Sequence, residues 1–162
     1  MGIPYEPWSE KTEIQYEKSS GGIVYRKSKH RGIEILLLRW LNGREEEVYA
    51  IPKGHIEEGE VAKDTAIREI SEEAGLEPKD LEVIKFMTKL NYTFTAGHLE
   101  EAPIIDKDVY LFLVKYNGKK EPVVQEEERF VGYRWCTLEE IQDIDVLFDI
   151  QSIIGKNRTY FI

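Results

Sequence analysis

Cysteine is almost missing: Cys136 is the only one in 162 residues. That excludes an internal disulfide and a cysteine-built zinc site, and it points to a reducing cytoplasm. Positive charge is scarce as well, with 22 lysines and arginines against 31 aspartates and glutamates and a formal net charge of −9. Non-specific affinity for nucleic acid comes from many basic contacts to phosphate, so no long nucleic acid is expected as a partner. A small phosphorylated ligand stays open, because one local site and a metal ion can neutralise it. No apolar run has the length of a bilayer span, so no membrane is expected. Met1 to Glu10 carries Pro4, Glu6, Pro7 and Glu10 where a secretory leader needs a basic start and an apolar core, and no export address is read there.

What is present describes a globular chain: 41% hydrophobic, 11% aromatic and 33% charged residues, with no repeat, low-complexity tract or linker. A single domain over residues 1–162 is long enough to bury its own core. Ser19 to Lys27, Ile33 to Arg39, Val48 to Ile51, Leu81 to Thr95, Asp108 to Tyr116 and Phe130 to Cys136 read as strands. A helix is expected from about residue 61 to Gly75, and Thr137-Leu138-Glu139-Glu140 has capping-box spacing for a short one. Val146, Leu147, Ile150, Ile153 and Ile154 predict a final helix stopped by Gly155. The fold class is therefore α/β of the α+β type, a mixed sheet with helices against it. Residues 1–18 are left as an extra strand, a dimer arm or a tail, and monomer and homodimer both stay open.

The chemistry concentrates in residues 54–76, GHIEEGEVAKDTAIREISEEAGL. Ala66, Ile67, Ile70 and Ala74 share a helix face that must pack on the sheet, while Glu69, Glu72 and Glu73 share the neighbouring arc. Like charges at such spacings repel. Arg68 lies four residues before Glu72 in the weaker orientation for an ion pair, so pairing answers the repulsion only in part. A solvated acidic face is the ordinary meaning of three glutamates on a helix. A hard divalent cation is the alternative, since Mg²⁺ takes a few carboxylates and fills its other positions with waters and phosphate oxygens.

The surrounding residues favour the alternative. Gly54, Glu60, Arg68, Glu69, Ile70, Glu72, Glu73, Gly75 and Leu76 fill every fixed position of the motif that defines the Nudix hydrolases. By chance such a match occurs on the order of once in ten million chains of this length. The chain thus resembles that MutT-like family, and the resemblance implies an α/β/α sandwich with a mixed sheet. It implies that Glu69, Glu72 and Glu73 bind Mg²⁺, with Mn²⁺ as a substitute, and that Arg68 orients the cluster together with Glu60. It also implies hydrolysis of phosphoanhydride bonds by a metal-activated water. The general base is either Glu69 or a glutamate outside the motif, from Glu100, Glu101, Glu126, Glu127 and Glu128; the group before Phe130, with Glu127 and Glu128, is favoured.

Finer features resemble the diadenosine polyphosphate hydrolases of the same family. Lys53, Gly54 and His55 lie in a Pro-Lys-Gly-His entry, where Lys53 is set beside the metal and the phosphates. Tyr92 stands where that subgroup carries a base-stacking tyrosine, and Lys107, Tyr110 and Phe112 resemble its lysine-and-aromatic strand. The expected substrate is a small nucleotide, foremost diadenosine tetraphosphate. A nucleoside triphosphate, ADP-ribose, an inositol pyrophosphate and an RNA 5′ end are the alternatives, and a nucleotide sensor without turnover is the reading from another class.

Overall fold

The computed structural model describes residues 13–95, 102–125 and 130–162. Seven strands form one mixed sheet: β1 (Ile14–Ser28), β2 (Gly32–Leu41), β3 (Glu47–Ala50), β4 (Lys53–His55), β5 (Leu81–Thr95), β6 (Ile104–Tyr116) and β7 (Phe130–Thr137). Helix α1 spans Ala62–Ala74 and α2 spans Ile150–Lys156.

β1 is the axis of the sheet. Along one edge it pairs in parallel with β6 from Ile14 to Tyr25, and β5 then pairs antiparallel with β6. Its other edge is divided, with Ser19 to Gly21 pairing β4 and Tyr25 to Ser28 pairing β2. β2 carries β3 at one end and runs antiparallel to β7 along most of its length.

Alternation along the central strands sends side chains to two separate cores. Val24, Leu36, Leu38, Phe112 and Val114 pack with Ala66, Ile70 and Ala74 of α1. Ile23, Tyr25, Ile35, Leu37, Leu111 and Leu113 face the other way and pack with Ile141, Ile150, Ile154 and Phe161. The continuous apolar run of β2 is thus buried on both faces, and the architecture is the helix–sheet–helix sandwich of the α+β class. Gly75 ends α1 in the left-handed conformation (φ 67°), where a Cβ is unfavourable, and its N–H donates to the Ser71 carbonyl.

Three expectations are revised. The first strand begins at Ile14 rather than Ser19, because residues 14–18 extend the parallel ladder with β6; the arm or tail suggested for 1–18 shrinks to residues outside those described. Ile14 and Tyr16 are mostly exposed, so burial leaves no alternation there to read. β6 begins at Ile104 rather than Asp108, because residues 104–107 continue its ladders with β1 and β5. The long final helix is broken: Val146 makes an extended bridge to Tyr49, Phe148 and Asp149 are left-handed, and α2 starts at Ile150 and runs through Gly155 to Lys156. The Thr137 capping box is present, with Glu140 N–H donating to Thr137 Oγ1 and Thr137 N–H to Glu140 Oε1, and it opens a 3₁₀ turn at Glu140–Asp143.

Ile70 is fully buried between α1 and the sheet. Ile70→Ala is expected to cost about 2–5 kcal/mol of unfolding free energy, read from the urea midpoint at unchanged slope.

Candidate active site

α1 buries Ala66, Ile70 and Ala74 at four-residue spacing, and this turns the adjoining arc toward the divided edge of the sheet. Glu73 lies next to the buried stripe and is only 5% exposed. The Glu69 side chain is 13% exposed and that of Glu72 58%, so the three carboxylates step from the interior to solvent.

Arg68 stands among them. Its Nε and Nη2 donate to the two Glu60 carboxylate oxygens at 2.8 and 3.0 Å, a bidentate pair. Nη1 donates to Glu69 at 2.9 Å and to Glu72 at 3.2 Å, and Nη2 also donates to the His55 carbonyl at 2.9 Å. One guanidinium therefore joins the loop before α1, two turns of the helix and the end of β4. Glu60 further accepts from the Thr65 hydroxyl at 2.5 Å and the Glu57 N–H at 3.2 Å. The Arg68 and Thr65 hydrogen bonds hold the Glu60 carboxyl down to about 2, and Glu60 in turn raises Arg68. Repulsion among the glutamates is therefore answered more fully than the spacing of Arg68 and Glu72 alone suggests.

β4 brings the second half of the site. A Cβ on Gly54 would occupy the space of the Glu69 carboxylate, so only glycine lets that side chain lie against the strand. The Lys53 N–H donates to Glu73 at 3.0 Å. A cavity of about 420 Å³ opens here, lined by Lys53, Gly54, His55, Glu57, Arg68, Glu69, Glu72, Glu73 and Lys107. Among the described residues no three carboxylates, histidines or cysteines already form a closed cage. The donor set still fits a hard cation: oxygen ligands from one helix, a glycine-lined approach, and room for waters and ligand oxygens. Lys53 does not belong in that set. Its ammonium is cationic and lies 5.3 Å over the Phe148 ring, and burial first, then Lys107, lowers its proton affinity.

A family model described as the NUDIX domain matches residues 16–154, most of the chain. The chain belongs to the Nudix family. Its relatives include the asymmetrical bis(5′-nucleosyl)-tetraphosphatases of Sus scrofa, 30% identical, and Mus musculus, 32% identical; each comparison spans 88% of this chain and 94% of the relative. The solved binary complex of a C. elegans Ap4A hydrolase is similar in structure, with a TM-score of 0.68, 26% identity, and coverage of 89% of this chain and 96% of that one. The chain is thus a Nudix hydrolase of MutT-like type, and Nudix hydrolases generally use divalent metal ions.

In this Nudix domain, Lys107 joins Lys53 and His55 in the cavity, but other residues singled out from sequence lie elsewhere. Tyr110 is on the opposite face of β6 from Lys107, packed near Phe86 in the core under α1, and it lines neither this cavity nor a second, aromatic one beside it, formed by Trp40, Ala50, Ile51, Phe130, Leu147 and Phe148 with Lys53 and Glu73. Strand alternation over an odd separation dictates this. Tyr92 is half-buried in an aromatic row, 5.8 Å from Phe94 and 5.1 Å from Phe148, and Phe148 lines the second cavity beside Lys53. Glu100, Glu101, Glu126, Glu127 and Glu128 lie outside the described residues. Trp40, Phe130 and Phe148 were not singled out; their only signal was aromatic character, and they meet through pairing of β2 with β7 and the break before α2.

The depressed Glu60 has a fixed sign. Its stabilising contribution is complete above the ordinary carboxyl value of 4.5 and disappears as pH falls through about 2. Carbon-13 NMR of the side-chain carboxyls, without added metal, should give Glu60 a midpoint near 2, returning to the ordinary range in Arg68→Ala.

Proposed function

We propose that this Nudix hydrolase cleaves a phosphoanhydride bond of a dinucleoside polyphosphate, foremost diadenosine tetraphosphate, asymmetrically and with Mg²⁺. The observation that carries the reading is one cavity with glutamates along one wall and Lys53 and Lys107 along the other. Carboxylates suit a cation and ammonium groups suit phosphate oxygens, so a phosphate chain bridging the two satisfies both. The relatives named as tetraphosphatases, aligned over nearly their full length, supply the choice of substrate.

Each side chain then has a definite task. Glu69, Glu72 and Glu73 hold the cation; when bound, Mg²⁺ neutralises phosphate charge and acidifies a coordinated water. Arg68, tied to Glu60 and to the His55 carbonyl, keeps the helix and the β4 loop in register and acts as a positioning residue. Gly54 admits the Glu69 carboxylate to the strand, and the Lys53 backbone N–H fixes Glu73. Lys53 and Lys107 orient the phosphates, and His55 borders the same space. The base that takes the water's proton is Glu69 or one of the glutamates before Phe130, Glu127 and Glu128 among them.

Glu72→Gln and Glu73→Gln are each expected to lower turnover by about 100-fold or more while unfolding stays cooperative; near-normal rates in both would remove the metal site. Product analysis with a substrate panel in Mg²⁺ should show diadenosine tetraphosphate converted to ATP and AMP. Faster turnover of a nucleoside triphosphate, ADP-ribose, an inositol pyrophosphate or a triphosphorylated RNA end, with no such release, would replace that substrate. Binding of all compounds without cleavage of any would identify a sensor.

A further inference from the structure

We propose that Glu121 is a positioning residue for the acidic site: it fastens the stretch after β6 so that Val123 closes the last turn of α1, from which Glu72 and Glu73 act. The proposal deepens the reading above and rests on it for the metal at those carboxylates. Glu121 lines neither cavity, and nothing in the sequence sets it apart from the other acidic residues. Its carboxylate nonetheless takes three donors from two strands. Oε1 accepts from Arg26 Nη1 of β1 at 2.9 Å, and Oε2 accepts from the Tyr133 hydroxyl at 3.1 Å and the Trp135 Nε1–H at 3.0 Å, both on β7. The donors are themselves fixed. The Arg26 guanidinium lies 4.0 Å over the Trp135 ring and pairs with buried Glu34, and Trp135 stacks on Tyr116. The Arg26 hydrogen bond also holds the Glu121 carboxyl below the ordinary carboxylate range, so the acceptor stays charged at neutral pH. A lone exposed ion pair would fix little. Three donors converging on one carboxylate set its position as well as its charge.

Residues 117–125 carry this anchoring to the helix. The Tyr116 hydroxyl donates to the Lys120 carbonyl at 2.8 Å, Glu121 follows, and Pro122 is buried. Val123 comes next, and its N–H donates to the Ala74 carbonyl at 2.8 Å. The last carbonyls of a helix need partners from beyond it. Here the Gly75 N–H serves Ser71 and the Val123 N–H serves Ala74. The approach is close, since a Cβ on Gly75 would stand 2.6 Å from the Val123 carbonyl oxygen. Glu73 immediately precedes Ala74, and its carboxylate accepts the Lys53 N–H at 3.0 Å. The last turn of α1 is thus held from β4 on one side and from Val123 on the other. Helix ends are where opening begins, and Mg²⁺ demands near-ideal octahedral oxygens at about 2.0–2.1 Å. A last turn released at Val123 would let Glu72 and Glu73 spread over positions that this geometry does not accept.

The test uses the whole chain with Mn²⁺ alone as the probe, the free ion being read by EPR, and amide hydrogen exchange as the second readout. Glu121→Ala is expected to weaken Mn²⁺ binding by about 10-fold and to speed exchange of the Gly75 and Val123 amides by about 10-fold or more. Ile141→Val, a core substitution on the other face of the sheet, should leave both readouts unchanged, which separates positioning from a general loss of stability. An equal loss in Ile141→Val overturns the proposal, as does weaker binding in Glu121→Ala without faster exchange at Gly75 and Val123. Unchanged Mn²⁺ affinity in Glu121→Ala, beside a clear loss in Glu73→Gln, overturns the positioning role alone. Unchanged affinity in both variants overturns the metal assignment, and the positioning role falls with it. Should Glu121→Ala fail to fold, Glu121→Gln decides instead, since it keeps the shape and loses the charge that Arg26 faces. A loss of about threefold or more then supports the role, and no loss overturns it.

Discussion

The Arg68 guanidinium is the contact on which the rest of the site depends. Five N–H donors in a rigid plane can serve several acceptors at once, and here they serve Glu60 twice, Glu69, Glu72 and the His55 carbonyl. A lysine has no fork with which to do this. Without the guanidinium, Glu60, Glu69 and Glu72 would lose the cation they share, and the loop from His55 to Glu60 would keep only the Thr65 hydroxyl as its side-chain tie from the helix to Glu60. The same residue therefore lowers the repulsion that helix formation creates and sets the positions from which the carboxylates act. That it answers much of the repulsion also shifts the argument for a divalent ion, from crowding alone to the donor set and the close approach at Gly54.

The sheet does the remaining placement. Because β6 occupies one edge of β1 from Ile14 to Tyr25, β4 and β2 share the other edge. α1 packs across one face at this division, and the cavity opens beside it. Register then assigns the sides: Gly54 pairs with Ser20 and faces α1, whereas Lys53 and His55 pair with Gly21 and Ser19 and face the other way. Lys107, paired with Glu17 and Tyr92, lies on that second side as well. Carboxylates reach the cavity from the helix and ammonium groups reach it from the strands, which is why both line one space.

How much of this could be read from sequence depended on the range of the interaction. The α1 segment was legible because its signals are local: the apolar stripe, the terminal Gly75, and Glu60, Arg68, Glu69, Glu72 and Glu73 within a few turns. The doubly buried β2 was legible from its unbroken apolar run. Ile14 to Lys18 were not, because a parallel ladder with β6 holds them rather than burial. Val146 and Leu147 misled, since helical spacing is indifferent to whether Val146 instead bridges Tyr49. Tyr110 was grouped with Lys107 although an odd separation on a strand puts them on opposite faces. The aromatic cavity had no local sign at all, as Trp40, Phe130 and Phe148 come from three distant segments.

On the function proposed above, Lys53 is the means by which an acidic chain receives a polyanion. With a net charge of −9 the long-range field opposes such a ligand, so attraction must come from groups inside the cavity. Burial and Lys107 both disfavour the charged form of Lys53, whereas Glu73 and Glu69 favour it. A phosphate chain entering beside it acts in the same direction as those two glutamates. On the function proposed above, ligand and ammonium would stabilise each other, a cation on the carboxylates would balance the rest of the negative charge, and the site would favour a ligand that brings several negative charges together with a divalent ion.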